Sequence, residues 1–418
     1  MEPCAQSADA VRRAAILLIT AHVVSMLGFS SFAALLPELR DLWGLSNAQA
    51  GVIGGAFFFG YAGTVSYWTA LTDRRDARRV YLTGSLLATA GSAGFGLLAE
   101  GFASALLFQA LLGAGIAATY MPGLRLLSDR VAGPAQSRYV AFYTSFFGIG
   151  TALSLALAGA VAPLAGWRTA FVLSALGPAI AGALVFAGVA RQADRNAPHA
   201  APRFSPAMLF PLAAWRRVLA DRAAAGYTLG YAVHCMELFG SRAWLVAYFV
   251  YSAGLHAPGA GFPWPAALMA SIITLWAVPA SILGNEVALR IGRRRWILLV
   301  MASSGSLGIV LGLGAAWSWI LVLALVTIYA MLVMAESATL TAGLVAAAPA
   351  ELRGAAMGFY SLAGFAGGML GPMVFGAALD WAGGAQHPGA WIVAFAAIGA
   401  GCLAAAPLAR LFGRAGRA

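Results

Sequence analysis

The segment Thr69-Ala70-Leu71-Thr72-Asp73-Arg74-Arg75-Asp76-Ala77-Arg78-Arg79 separates two long apolar spans of this 418-residue chain and carries four arginines. Further arginines fall near both termini and in alternate gaps between the later apolar spans, and only Arg40, Arg168 and Arg242 depart from that pattern. Short loops rich in basic residues stay in the cytoplasm. The pattern therefore predicts a multi-pass inner (plasma) membrane protein with an even number of crossings and with both termini cytoplasmic.

Twelve apolar spans account for most of the chain, and 61% of its residues are hydrophobic. Each is predicted to be a transmembrane helix, because a lipid-exposed backbone must satisfy its own hydrogen bonds and the strict alternation of a membrane barrel is missing. The predicted fold class is all-α, with twelve helices in two six-helix bundles. The spans are 14–38, 47–71, 80–99, 103–124, 139–163, 169–190, 223–250, 266–288, 296–315, 319–343, 355–379 and 390–409.

Composition and motifs exclude several functions. The net charge of +11 is spread over short gaps instead of one patch, so we interpret it as membrane topology and predict a lipid bilayer, not nucleic acid, as the partner. Cys4, Cys235 and Cys402 form no disulfide framework. The sequence has no phosphate-binding loop, no nucleophile and base pair, and no metal-ligand set. We therefore predict that the chain is not an enzyme and needs no cofactor or metal.

The two halves of the chain read as copies. The arginines Arg74, Arg78 and Arg79 recur at one constant spacing as Arg290, Arg294 and Arg295, and Trp167 recurs at nearly the same spacing as Trp381. Internal repeats of this kind are typical of transporter folds. Because six crossings separate the copies, both face the same way, which predicts a two-fold axis along the membrane normal. The predicted domains are a first bundle at 1–190, a cytoplasmic linker at 191–222 and a second bundle at 223–418.

Over nearly its whole length the chain resembles the major facilitator superfamily, whose loop after the second helix reads G-x-x-x-D-[RK]-x-G-[RK]-[RK]. Asp73, Arg74 and Arg78 match this pattern, whereas Thr69 and Asp76 replace its glycines. In the second copy Leu289 stands where the acid is expected, and Glu286 is the nearest substitute. The resemblance implies a cytoplasmic gate of altered geometry, with these candidate residues: Asp73, Arg74, Arg78, Arg125, Asp129, Glu286, Arg290, Arg293 and Arg294.

The polar residues inside the spans are few, and ionisable groups in the membrane are expensive, so each is a functional candidate. In the superfamily, helices one, four, seven and ten line the central cavity, and most candidates fall on the corresponding spans. His234 and Glu237 lie three residues apart on one helix face, and both residue types can exchange protons near neutral pH in an apolar setting. We predict proton coupling by His234, Glu237 and Glu336. The structural alternative is a hydrogen-bonded pair that only fixes helix packing, with Glu336 as a gate partner.

Arg242 lies about 12 Å inside its helix and needs a carboxylate, either from the protein or from a ligand. One alternative is a structural ion pair, for which Glu237 is badly placed on the helix, and the other is an anionic solute held in the fork of the guanidinium. The candidate substrate-binding residues are Arg242, His22, Gln109, Tyr120, Tyr143 and Tyr360. A metal site is disfavoured, because His234 and Glu237 alone leave the coordination incomplete.

The resemblance and the polar residues together predict a monomeric secondary transporter. We expect alternating access, coupling to protons as in a symporter, and a small polar, possibly anionic, solute. Drug or metabolite efflux by proton antiport is one alternative, although Arg242 and the absence of the Gly-Pro pair that drug antiporters carry in the fifth helix argue against it. A transport-inactive membrane sensor is the other alternative.

Overall fold

The computed structural model describes residues 8–131, 134–191, 212–257, 261–349 and 352–411, and these form helices joined by short turns, without a strand. This confirms the predicted all-α membrane fold. A short 3-10 turn, Met26–Gly28, follows the first helix. The α-helices are α1 (Ala8–Ser25), α2 (Ser31–Leu42), α3 (Asn47–Leu71), α4 (Ala77–Leu98), α5 (Phe102–Ser128), α6 (Pro134–Ser145), α7 (Phe147–Gly188), α8 (Leu212–Ala220), α9 (Arg222–Gly254), α10 (Ala266–Ile291), α11 (Arg293–Leu313), α12 (Trp319–Ala335), α13 (Ser337–Ala347), α14 (Arg353–Trp381) and α15 (Pro388–Leu411).

Every predicted span coincides with one or two of these helices. Nine stretches of the described residues are long and apolar enough to cross a membrane. One of them, Arg138–Gly188, covers two predicted spans and is broken at Gly166, whose φ of 81° is a conformation that glycine adopts readily. Helices α3 and α9 are not among the nine, since glycine and aromatic residues in α3 and the polar side chains of α9 lower their mean hydropathy.

The structure divides into two compact units. The first unit comprises Met1–Ser31 and Gly60–Ser205, so it contains α1 and α4 to α7. Within it α4 packs along α5 and α7, and α1 packs against α7. Ser154 satisfies the backbone where α1 ends, since its hydroxyl donates to the Leu27 carbonyl at 2.7 Å and accepts from the Ser30 amide at 2.9 Å. Side-chain hydrogen bonds of this kind must replace the lost backbone hydrogen bonds wherever a helix breaks in an apolar interior.

The second unit comprises Phe32–Phe59 and Pro206–Ala418. Within it α9 packs along α14, and α11 packs along α15. The predicted domain boundaries at 190 and 223 stay a prediction, and the predicted linker lies largely in residues 192–211, outside the described residues. The same unit also holds α2 and the first half of α3, which belong to the first half of the repeat in the sequence.

Asp380 at the end of α14 holds the first turn of α3. Its Oδ1 accepts from the Asn47 amide at 3.1 Å and from the Asn47 side chain at 2.7 Å, and its Oδ2 accepts from the Ala48 amide at 2.7 Å. Arg40 completes the group by donating to Asn47 Oδ1 at 3.0 Å. A carboxylate at a helix N-terminus accepts hydrogen bonds from free amides and interacts favourably with the helix dipole. Helices from opposite ends of the chain are joined in this way.

Candidate functional site

The second unit contains a helix break inside a predicted span. Helix α12 ends at Ala335 and α13 begins at Ser337, so Glu336 stands between two helix ends. The Ala335 carbonyl, which the break frees, accepts a hydrogen bond from Trp296 Nε1 at 3.0 Å. Broken membrane helices are characteristic of transporter binding sites, where helix ends can face an ion or a solute. The break directs the Glu336 carboxyl toward α9.

His234 on α9 meets that carboxyl. Its Nδ1 lies 3.0 Å from Glu336 Oε1, and both side chains are buried, at 1% and 0% exposure. Among the described residues neither His234 Nε2 nor Glu336 Oε2 has a hydrogen-bond partner. The pair can hold one proton between the ring and the carboxyl, and the free atom on each side chain is where a second proton or a ligand group would bind.

Glu237 makes no hydrogen bond with His234, although the two are neighbours on α9. Its Oε2 accepts from Ser304 Oγ at 2.8 Å and from Cys402 Sγ at 3.0 Å, and its Oε1 accepts from the Tyr329 hydroxyl at 3.2 Å. The donors come from α11, α15 and α12. Residues three apart point in directions about 60° different, so neighbouring helices capture each one separately. The His234 and Glu237 pairing that the sequence suggested is thus replaced by His234 with Glu336.

A stack of aromatic rings leads away from His234. Tyr231 stacks on His234 with a centroid distance of 5.8 Å and on Tyr360 at 3.9 Å. The Tyr360 hydroxyl lies 2.9 Å from Thr341 Oγ1. The candidate Tyr360 is therefore connected to His234 through the ring of Tyr231. Tyr231 was not among the residues predicted from the sequence. Its position three residues before His234 on the same helix face was the available signal.

Arg242 lies on the same helix, about two turns after His234, and lines a narrow cleft inside the second unit. Ser241, Thr274 and Tyr329 are its other polar lining residues, and the remainder, such as Phe395, are apolar. Among the described residues Arg242 has no hydrogen bond or ion pair, and none of those that line the cleft is a carboxylate. The structural partner that the sequence left open is therefore not found there.

In the first unit, three of the candidates form one aromatic cluster. His22 is 1% exposed, stacks on Tyr143 at a centroid distance of 4.4 Å, and meets the edge of Tyr120 at 5.1 Å. The Tyr143 hydroxyl donates to the Tyr120 carbonyl at 3.0 Å. Gln109 is buried elsewhere, because it precedes Tyr120 on α5 by about three helical turns, or about 16 Å along the helix axis. The structure thus gathers His22, Tyr120 and Tyr143 but not Gln109.

The predicted gate residues of the first half partly come together. Arg125 donates to Asp73 at 3.1 Å and lies 3.3 Å from Asp129. Arg78 instead donates to the Phe186 carbonyl at 2.6 Å and covers the Phe186 ring. Arg74 lies in the turn between α3 and α4. The first half of the chain therefore contains an ion-pair group of Asp73, Arg125 and Asp129 outside the predicted apolar spans.

Arg130 lies beside this ion-pair group, just after α5. Its guanidinium donates to the Leu126 carbonyl at 3.1 Å and to the Ala190 carbonyl at 3.0 Å. Burial lowers the pKa of Arg130, and the nearby carboxylates of Asp76 and Asp129 raise it. An arginine remains a cation at any cellular pH. Arg130 therefore adds a fixed positive charge beside Asp129.

The second copy of the gate is different. Among the described residues Glu286 and Arg290 have no ion pair, and Arg293 Nε is buried with no hydrogen-bond partner. Arg294 is exposed at the start of α11. Glu286 therefore does not provide, within the described part of the chain, the acid that Leu289 lacks. The same described residues hold no group of three metal-ligating side chains.

The chain belongs to the major facilitator superfamily, whose family model matches residues 18–372. It is therefore a multi-pass membrane transporter and not an enzyme. This confirms the resemblance found in the loop after the second span.

The individual proteins that the chain resembles share little sequence identity with it. The niacin transporter NiaP of Acinetobacter baylyi is 28% identical over 151 residues, which cover 35% of this chain and 33% of that protein. An inward-facing, unoccupied bacterial homologue of the human lysosomal transporter Spinster has a TM-score of 0.75 and 14% identity, covering 97% of this chain and 96% of its own. A peptide transporter of the POT family solved with sulfate has a TM-score of 0.73 at 14% identity, covering 96% of this chain and 95% of its own. At such identities the structures show the fold alone.

Proposed function

We propose that this protein is a proton-coupled secondary transporter for a small polar, anionic solute, and that the transported proton binds at the pair of His234 and Glu336. The observation that carries the proposal is the 3.0 Å contact of a buried imidazole with a buried carboxyl at a helix break. An ionised group in an apolar interior is costly, so the charge on this pair depends strongly on its surroundings. A change of conformation that admits water would alter how readily the pair binds protons.

The titratable groups around the pair come from several helices. Glu237 and Arg242 lie on α9 with His234, and Cys235 and Tyr231 are on the same helix. Tyr360 on α14 and Cys402 on α15 interact electrostatically with Glu336. Glu237 already accepts three hydrogen bonds, whereas Glu336 Oε2 accepts none from the described residues. This division favours Glu336 over Glu237 as the proton acceptor.

An anionic solute is supported by Arg242 and by the relative. Among the described residues that line the cleft, Arg242 is the one cation, and a guanidinium binds carboxylates in a two-point fork. Niacin, the solute named for the relative, is itself a pyridine carboxylic acid. The arginine pattern further supports a cytoplasmic location for both termini, with the Asp73, Arg125 and Asp129 group on the cytoplasmic side of the inner membrane. That the protein is a monomer stays a prediction.

The experiment is uptake by proteoliposomes of purified protein, using labelled nicotinate with and without an inward proton gradient. Glu336→Gln keeps the size of the side chain but cannot exchange the proton, so we expect gradient-driven accumulation to fall to the level seen without a gradient. Exchange of labelled for unlabelled solute across the membrane should continue, because it needs no net proton movement. Glu100→Gln, at an exposed position between α4 and α5, is the control for removal of one carboxylate.

The proton role is wrong if Glu336→Gln loses accumulation and exchange equally, since the residue would then be needed for the fold or for binding. It is also wrong if the variant accumulates solute as the unaltered protein does. A preserved exchange rate with lost accumulation supports it.

A further inference from the structure

The side chains of the short helix α8 face three directions. At about 100° per residue, Leu212 and Leu219 lie within about 20° of each other around the helix. Val218 lies about 120° to one side of Leu212. Arg216 and Arg217 lie about 40° and 140° to its other side. Helix α8 therefore has an apolar edge between two others, one that faces the protein and one that is basic.

The edge of α8 that carries Val218 attaches the helix to the second unit. Val218 is fully buried in a core cluster that includes Leu344 and Tyr360. Next to it, the Trp215 ring meets the Phe359 ring at a centroid distance of 5.3 Å. Helix α8 thereby packs against α9 and α14. Because this packing fixes the rotation of the helix, its other two edges face outward.

The apolar edge of α8 is not covered by the described residues. Leu212 and Leu219 are 63% and 49% exposed. Exposure of apolar surface to water is unfavourable, whereas an interfacial helix buries such an edge among the upper acyl chains of a bilayer. Leu219 lies four residues before the predicted span at 223–250, where the apolar part of the second half begins. The edge is therefore placed where a bilayer surface would meet the protein.

The basic edge of α8 carries charge that the described residues do not neutralise. Arg216 and Arg217 are exposed and make no ion pair or hydrogen bond within the described part of the chain. Asp221, the next acid along the chain, accepts from the Ala224 amide at 2.8 Å and so caps α9. Arg222, at the start of α9, is exposed as well. Arginines beside an apolar helix edge attract negatively charged lipid headgroups.

We propose that α8 is an interfacial helix that binds the headgroup of an anionic phospholipid. Leu212 and Leu219 enter the upper acyl region, and Arg216, which lies next to them on the helix, binds the phosphate. Arg217 lies on the far side from the acyl chains and faces water. The site depends neither on proton coupling nor on the transported solute. Its assignment to the cytoplasmic leaflet alone rests on the proposed orientation of the chain.

The first test compares the exposed edges of α8 in a bilayer. Protein with Cys4→Ser and either Leu219→Cys or Ala213→Cys is labelled with bimane and placed in phosphatidylglycerol nanodiscs with brominated acyl chains; the two remaining cysteines are buried. Ala213 is also exposed but lies between the arginines around the helix. We expect the bromine atoms to quench the label at 219 and not the label at 213. Equal quenching at both positions, or none at either, would overturn the proposal.

The second test measures the affinity of purified protein in detergent for phosphatidylglycerol, by native mass spectrometry at one fixed ionic strength. Arg216→Gln should weaken binding about fivefold, which is the contribution of one arginine at an anionic membrane surface. Arg217→Gln is the matched control, since it removes the same charge from the adjacent residue, and it should leave the affinity nearly unchanged. Phosphatidylcholine with the same acyl chains, and glycerol phosphate without chains, should both bind more weakly.

Three results of the second test would contradict the proposal. Equal weakening in the two arginine variants would show diffuse attraction to the net charge, and equal binding of phosphatidylcholine would show that headgroup charge has no part. Glycerol phosphate that binds as tightly as the lipid would make the ligand a free phosphate. None of these measurements involves transport, so their failure leaves the proton role of Glu336 intact, and failure of the Glu336→Gln experiment leaves the lipid site intact.

Discussion

The two halves of the chain each bury a histidine on their first helix, and the comparison shows how the neighbouring side chains differ. His22 lies against Tyr120 and Tyr143, whereas His234 lies against Glu336 and, through Tyr231, Tyr360. Tyr120 and Glu336 are equivalent positions in the register that aligns the two copies of the arginine loop. The second copy thus has a carboxyl where the first has a phenol.

The two sites differ in chemistry, and in the same register His234 lies four residues before the position equivalent to His22. A phenol beside His22 offers a ring edge, and the imidazole is enclosed by aromatic surfaces. A carboxyl beside His234 makes an acid and base pair with a free atom on each member. We therefore propose that one repeat holds its histidine as packing and that the other uses it for proton exchange.

The largest expected difference is between the two histidines. His234→Asn should abolish proton-driven accumulation of nicotinate in proteoliposomes, because the base of the pair is lost, while His22→Asn should retain most of it. Similar loss in both variants would show that the contrast between the two halves has no bearing on coupling. Detergent-extracted yield of each variant controls for misfolding.

The next difference concerns the residues three places after each histidine. Glu237 accepts three hydrogen bonds, whereas Ser25 donates one to the His22 carbonyl at 2.7 Å. Glu237→Gln turns half of the acceptor into a donor and should cost about 1–3 kcal/mol of stability. Ser25→Ala should cost about 0.5–1.5 kcal/mol. Thermal unfolding in detergent checks the order, and an equal loss would argue against the network around Glu237.

The smallest expected differences in stability lie between the two copies of the arginine loop. Gly292 has φ of 95°, whereas Asp76, its equivalent in the first copy of the loop, has φ of −54° and accepts from the Arg78 amide at 3.0 Å as a helix cap. Gly292→Ala should cost at least about 1 kcal/mol of stability, because a Cβ disfavours that backbone. Asp76→Gly should cost a few tenths. Thermal shifts of the two variants measured side by side test this, and the reverse order would contradict it.

The departure of Asp76 from the family pattern is explained by this comparison. The first copy ends its loop with a side chain that caps α4, and the second ends it with a glycine that turns the chain. The sequence showed that a family glycine was missing at Asp76 but not what replaced its role. Backbone angles and the hydrogen bond to Arg78 were needed for that.

The helices, the family and the repeat could be predicted because they depend on local properties. Apolar length, basic loops and a constant spacing of landmarks are readable along the chain without knowing which residues meet. Each predicted span is helical in the described residues. The sequence also restricted the candidates to a few polar residues inside the spans, since such residues are rare there.

The pairings could not be predicted, because each helix offers a different face to each neighbour. The choice of Glu336 over Glu237 as the partner of His234 depends on the break after Ala335 and on the donors that α11, α12 and α15 direct at Glu237. The inclusion of residues 32–59 in the second unit reflects contacts with α14, near the other end of the chain, which include the hydrogen bonds of Asp380 and the close packing of Gly51 against Pro372. The sequence by itself determined the membrane helices and their repeat. Only the tertiary structure decided which buried charges have partners, because those contacts join residues that sequence spacing does not relate.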